Sequence, residues 1–189
     1  MAFRLFHLFP GLGGLLGKAQ KSAANSLYAD IVEQARSPRF YRELGVPDTV
    51  EGRFDLIAVH MFLVLRRLKG EAAAGTLGQR LFNTMFDDMD ASLREMGVGD
   101  TRVPKEVRAM GEDFAGRVKG YEAGVEVKAF LADALALNVY DRPDGTGGEA
   151  LADYVTVADK LLCEQSTEDL ITGRVSFPDP LHVGEVSHE

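Results

Sequence analysis

Cysteine is all but missing from this sequence: Cys163 stands alone among 189 residues. That excludes a disulfide framework and any thiolate cluster for zinc or iron–sulfur. Tryptophan is absent and histidine is scarce at four residues, of which His182 and His188 fall near the C-terminus. No Gly-x-Ser-x-Gly elbow, Walker phosphate loop or His-Glu-x-x-His occurs, which removes the common hydrolase, nucleotide-binding and zinc-protease signatures. Gly11-Leu12-Gly13-Gly14 imitates a glycine-rich loop but follows no strand pattern and carries no weight. An excess of positive charge is missing too. Lys and Arg number 21 against 29 Asp and Glu, a net −8, and non-specific nucleic-acid binding needs the opposite sign. No apolar run approaches the ~20 residues that span a bilayer; the longest, residues 56–65, is a core helix by its length. Residues 1–10 are apolar but interrupted by Arg4 and His7 and closed by Pro10, so no secretory signal is expected.

What is present is the composition of one globular domain. Hydrophobic residues make up 46% and charged residues 26%, and a chain this long buries about two thirds of its unfolded surface without metals or disulfides. Apolar residues recur at helical spacing, and no two-residue alternation interrupts them. Leu27, Ile31 and Val32 fit a short helix from Ser26, closed by Ser37-Pro38. Asp48 or Thr49 is placed to cap the next helix, which runs to about Lys69 and is apolar nearly all round. Arg66, Arg67 and Lys69 at its end complement the helix dipole. A third helix carries Leu77, Leu81, Met85, Met89, Leu93 and Met96, and Gly97-Val98-Gly99-Asp100 ends it. Pro104 opens a fourth, with Val107, Met110, Phe114, Val118 and Tyr121. A fifth has Val127, Phe130, Leu131, Ala134, Leu135 and Leu137 as its core stripe, before a loop at Asp141-Arg142-Pro143-Asp144-Gly145. A sixth has Leu151, Tyr154, Val155, Ala158, Leu161 and Leu162; Ser166-Thr167-Glu168-Asp169 then caps a short turn, and an extended tail follows Gly173. The fold class is therefore all-α, an irregular bundle of about six helices. An apolar, glycine-rich segment covers residues 1–21, the helical domain residues 22–180 and a polar tail residues 181–189.

The candidate sites are weak as chemistry. Asp87 and Asp90 share a helix face and Asp88 lies about 100° away, but no Glu-x-x-His lies on a helix of the bundle, the one instance, Glu185 to His188, falling in the polar tail, so a solvated face is favoured over a metal site. His60 lies inside the apolar run, with no neighbour in sequence to orient it as a base. Cys163, beside Leu162, reads as a small buried hydrophobe. Catalytic residues, cofactors and metals are not expected. Met61, Met85, Met89 and Met110 are core fillers first, although methionine also suits surfaces that accept varied partners. Phe3, Phe6, Phe9, Leu12, Leu15 and Leu16 could pack on the bundle or touch a membrane or client; with one arginine and one lysine in the segment, membrane attraction would be apolar and weak.

Two stretches are more specific. One is Gly52-Arg53-Phe54-Asp55 with His60-Met61-Phe62-Leu63-Val64-Leu65-Arg66-Arg67-Leu68; the other is Met85-Phe86-Asp87-Asp88-Met89-Asp90 with Leu93-Arg94-Glu95-Met96-Gly97-Val98-Gly99-Asp100. With Ala35-Arg36-Ser37-Pro38-Arg39-Phe40-Tyr41 before them and Phe177-Pro178-Asp179-Pro180 at the end, the chain resembles the ubiquinol–cytochrome c chaperone family over roughly residues 27–180. The resemblance implies an all-helical, non-enzymatic assembly factor for cytochrome b and the bc1 complex. Its implied partners are newly made cytochrome b, the ribosome and a small helper protein, although a net −8 argues against direct ribosomal RNA contact. No arginine-rich transit peptide opens the sequence, which fits a cytoplasmic protein that meets its client at the periphery of the inner membrane. Asp87, Asp88 and Asp90 with Met96, Gly97, Val98, Gly99 and Asp100 form the expected partner-binding face, since an acidic patch suits the positive cytoplasmic loops of a membrane protein. The same residues could instead serve only as a helix face and C-cap. A general helical interaction module without a respiratory client is the alternative function.

Overall fold

A helix that is apolar on nearly every side can be stable only if other helices cover it. The computed structural model, which describes residues 12–181 with side chains from residue 17, shows how that is done. The central helix is α3 (Val50–Leu68), preceded in the chain by α1 (Leu12–Ala35) and the short α2 (Pro38–Arg42). Residues 58–64 of α3 are all buried. Its start is set by Thr49, whose hydroxyl accepts the Gly52 amide at 3.1 Å. After a 3-10 turn at Ala72–Ala74 come α4 (Leu77–Glu95), α5 (Val103–Val125), α6 (Lys128–Tyr140), α7 (Glu149–Glu164) and α8 (Thr167–Ile171). Six of these helices are long and two have five residues, with no strand among the described residues. The chain is all-α, as its periodicity indicates. Phe3, Phe6 and Phe9 and the tail beyond Leu181, with His182 and His188, lie outside the described residues.

Helix α1 starts at Leu12, well before the Ser26 start read from the pattern. The apolar stripe is weak in its first half, where tertiary contact supplies what periodicity does not. Ala23 and Ala24 are buried, and Thr76 and Thr84 donate to Gln20 (2.8 Å) and Asn25 (3.3 Å) from the α4 side. Ser37-Pro38 does end α1, but Pro38 also opens α2, which the pattern does not reveal. Its Phe40 is fully buried.

The fifth apolar stripe needs correction. Helix α6 packs against α5, α7 and α3 and buries Leu131, Ala132, Leu135, Ala136 and Val139. Val127, Phe130 and Leu137 are exposed. The helix carries more apolar residues than its neighbours can cover.

Arginines lock the central helix to its surroundings. Arg67 donates to the Leu162 and Gln165 carbonyls at 2.9 and 3.0 Å and to Thr167 at 3.0 Å, so its charge serves the C-terminal carbonyls of α7. Arg66 pairs with Asp159 at 3.2 Å. The tail then returns across α1. The Val175 amide donates to Asp30 (3.4 Å), Gln165 and Ser176 exchange hydrogen bonds of 2.7 and 2.9 Å, and Arg39 pairs with Asp179.

At the corner between α5 and α6 the two backbones approach closely. A Cβ on Gly124 would stand 2.6 Å from the Leu131 backbone, whereas one on Gly116 in the same helix would meet nothing within 4 Å. Gly124→Ala should therefore lower stability by about 2 kcal/mol, and Gly116→Ala should raise it by about 0.5–1 kcal/mol. Urea unfolding of both variants checks this; equal effects would remove the close approach as a determinant.

Candidate functional site

The eight residues singled out in the sequence gather at the C-terminal end of α4 and the turn beyond it. Asp87 and Asp88 are exposed and Asp90 is half-buried, while Met85 and Met89 face the core. The carboxylates have different local duties. Asp88 accepts the Tyr28 hydroxyl at 2.8 Å, tying α4 to α1. Burial and that carboxylate hold the Tyr28 phenol protonated well above its ordinary range. Asp90 pairs with Arg94 at 2.6 Å, and Arg94 reaches on to Asp100. Asp87 makes no hydrogen bond or ion pair among the described residues.

The turn is a Schellman motif. The Val98 amide donates to the Leu93 carbonyl at 3.0 Å and the Gly97 amide to Arg94 at 2.9 Å. This requires a left-handed residue at Gly97, whose φ is +82°. Met96 stands outside the turn with 58% of its surface exposed, and Gly99 and Asp100 are exposed beside it. The result is a rigid, acidic knob with one exposed apolar side chain, in which Arg94 engages Asp90 and Asp100 while Asp88 is turned to Tyr28.

His60 is a fully buried titratable group, with no exposed surface. Its Nδ1 lies 2.7 Å from the Leu56 carbonyl, which can only accept, so Nδ1 carries the proton. Nε2 then accepts the Tyr154 hydroxyl at 2.8 Å. Tyr154 in turn accepts from Gln34 Nε2 at 3.0 Å, and the other Gln34 amide proton goes to the Pro178 carbonyl at 2.9 Å. Each of these donors has an acceptor. Phe40 and Phe177 close edge-on around the imidazole at 5.5 and 5.0 Å. Complete burial pushes the His60 pKa down to about 4. A neutral imidazole with both nitrogens engaged is a structural element; contrary to the expectation of no orienting neighbour, the Leu56 carbonyl stands four positions away in sequence, while Tyr154 stands 94 away.

A second buried polar group joins α3 to α5. Arg117 Nη2 approaches Asp55 Oδ1 at 2.8 Å but off the line a hydrogen bond needs; Asp55 Oδ1, Arg117 Nε and the Tyr121 hydroxyl are buried without a hydrogen-bond partner. Burial pushes Asp55 up to about 6, against the pull of Arg117. Next to this pair, Phe62, Leu65, Phe82, Phe114 and Val118 line an open groove of about 480 Å³, edged by Arg66, Lys69, Lys119 and Glu122. Spacing alone could not show this groove, because its walls come from three helices.

Cys163 is exposed, contrary to its expected burial. One position along a helix is about 100° of rotation, so Leu162 faces the core while Cys163 looks into a charged cleft with Arg66, Glu122 and Asp159. Among the described residues, no group of three or more His, Cys, Asp or Glu is placed to hold a metal ion.

Comparison with known proteins gives a consistent result. Residues 42–177 match the family described as ubiquinol-cytochrome C chaperone. The chain is 29% identical over 160 residues to ubiquinol-cytochrome-c reductase complex assembly factor 1 of Xenopus laevis, covering 82% of this chain and 80% of that protein. It is 30% identical over 162 residues to the human factor of the same name, covering 83% of this chain but 54% of the human protein. Among solved structures, the Cbp3 homolog from Brucella abortus superposes with a TM-score of 0.78 at 38% identity, over 90% of this chain and 96% of that one.

The buried histidine and the buried aspartate have opposing acid responses. His60 binds its proton near pH 6.5 when unfolded and only near 4 when folded, so its contribution is complete above pH 6.5 and is lost on acidification, about 3 kcal/mol in all. Asp55 binds its proton near 6 when folded and 3.8 when unfolded, so its contribution grows over the same window and is lost as pH rises through 6. Asp55→Asn should therefore lose stability relative to wild type as pH falls from 6 to 4. Urea midpoints across that range test it; parallel curves would show that Asp55 titrates normally.

Proposed function

The chain belongs to the ubiquinol–cytochrome c chaperone family, and from that membership we propose that it is a non-enzymatic assembly factor that receives newly made cytochrome b on the way to the bc1 complex. The observation that carries this reading is the match over residues 42–177, which spans every element from the end of α2 to the returning tail. The relatives' names, assembly factors of the ubiquinol–cytochrome c reductase complex, support binding as the activity. No helix among the described residues is long and apolar enough to cross a membrane. A membrane client would then be met from the aqueous side, at the periphery of the inner membrane. Of the further partners, the ribosome and a small helper protein, the first is disfavoured as an RNA contact by the net charge of −8.

The client surface in this reading is the knob at the end of α4. Unpartnered Asp87 and outlying Asp100 offer negative charge to the Lys- and Arg-rich loops that membrane proteins keep on the cytoplasmic side. Met96 adds a pliable apolar contact, and the Schellman turn holds the group without needing to order on binding.

Deletion of the gene in its host should lower membrane cytochrome b and c1, and the wild-type chain should restore them. Asp87→Lys with Asp100→Lys should restore at least about fivefold less, because like charges across an interface cost several kcal/mol. Both positions are on the surface, so the purified variant should melt within about 2 °C of wild type. Asp88 is left intact because it holds Tyr28. Normal cytochromes in the deletion strain would leave a helical interaction module without a respiratory client; full rescue by the variant would move the client surface elsewhere.

A further inference from the structure

Among the described residues, half of the exposed large hydrophobics lie on or just before one helix: Val127 (45% exposed), Phe130 (61%) and Leu137 (51%). Phe130, Ala134 and Leu137 follow the i, i+4, i+7 spacing, which places them in one stripe across two turns, about 10 Å long. α5, α7 and α3 cover the opposite side of α6, and Ala134 is partly buried towards α5, 3.6 Å from where a Cβ on Gly120 would stand, so Phe130 and Leu137 are what the described chain leaves unshielded. Beside it, Asp133, Ala134, Leu137, Pro143, Asp144 and Gly145 enclose a hollow of about 340 Å³, large enough to seat one bulky apolar side chain. The hollow is preformed. Asp144 accepts the Thr146 amide and hydroxyl at 3.1 and 2.9 Å, and the loop's glycines Gly145 and Gly147 adopt left-handed φ values of +78° and +89°.

The charge around the stripe is mainly negative. Asp133, Asp141 and Asp144 stand along it, and none forms an ion pair among the described residues. Hydrogen bonds from Thr146 keep Asp144 below the usual carboxylate range, hence ionised. The nearest lysine, Lys128, is already paired with Asp153, which leaves Arg142 as the cation of the loop. An apolar stripe edged by unpaired carboxylates complements an amphipathic helix whose apolar face is edged by Lys and Arg.

We propose that the Phe130–Ala134–Leu137 face of α6, with the adjoining hollow, docks a basic amphipathic helix of a partner protein. The surface is separate from the knob at the end of α4. Helix α5, 23 residues long and therefore about 34 Å, begins at the knob and ends at α6. The proposal does not depend on which client the knob receives.

The test uses the full chain and a fluorescently labelled Leu/Lys amphipathic peptide of about five turns, with a Leu/Glu peptide of the same apolar pattern as control. Anisotropy should show the Leu/Lys peptide binding at least about tenfold more tightly than the control. Phe130→Ser with Leu137→Ser should weaken it about tenfold, and Asp133→Lys should weaken it severalfold, while thermal melts stay at or above wild type. Equal affinity for the two peptides, or binding indifferent to Phe130 and Leu137, overturns the proposal. So does a dimer seen in sedimentation, or flotation with phosphatidylglycerol vesicles, that disappears in Phe130→Ser with Leu137→Ser, since either assigns the face to another occupant.

Discussion

One hydrogen-bond chain holds the ends of the molecule to its centre. It runs from the Leu56 carbonyl through His60, Tyr154 and Gln34 to the Pro178 carbonyl, and so joins α3, α7, α1 and the tail in the interior. Each group has one compatible role: the carbonyls can only accept, the Gln34 Nε2 can only donate, and the tautomer of His60 is set by its neighbours. Such a network specifies a single arrangement, because any slip in helix register leaves a buried polar atom unsatisfied at about 1–3 kcal/mol. The rest of the core is mostly apolar, aliphatic with a few aromatic rings, and apolar side chains tolerate repacking better than a polar chain does. Uniqueness comes from the polar chain; bulk stability comes from the apolar contacts around it.

The periphery shows the same division. Side chains that tie elements together have their charge spent internally, as Arg67 does on the end of α7 and Asp88 on Tyr28. The two surfaces assigned to partners are where charge is left over: Asp87 on α4, and Asp133 and Asp141 around α6. A binding protein needs rigid elements that present unsatisfied groups, and a Schellman turn and a packed helix both provide that without ordering a loop at the moment of contact.

The bundle and most of its boundaries were legible in the sequence because they are local. Thr49 and Ser166 cap as their positions indicate, Gly97 ends α4, and α3 is central because its residues leave no polar side. His60 was legible as an interior residue, but its partners were not, since Gln34 and Tyr154 are brought to it only by the fold. Three readings failed for one physical reason, that periodicity reports a face and not what covers it. The apolar stripe of α6 has no neighbour over Phe130 and Leu137; Cys163 sits one residue round from the core; and the first half of α1 is helical because α4 lies beside it. The acidic knob was visible as charge, whereas the distinction between engaged Asp88 and free Asp87 needed the contact to α1.

The strap formed by residues 174–179 has a consequence for the order of events in the cell. Gly173 turns the chain so closely past α1 that a Cβ there would meet the Ala23 backbone at 2.9 Å, and Phe177 and Pro178 complete the enclosure of an imidazole made more than a hundred residues earlier. Domains begin to fold from their N-terminal side as they are synthesised. Here α1 cannot reach its final environment until residues 174–179 have been made. The bundle therefore closes around His60 only once the strap is in place, more than a hundred residues after the imidazole it encloses.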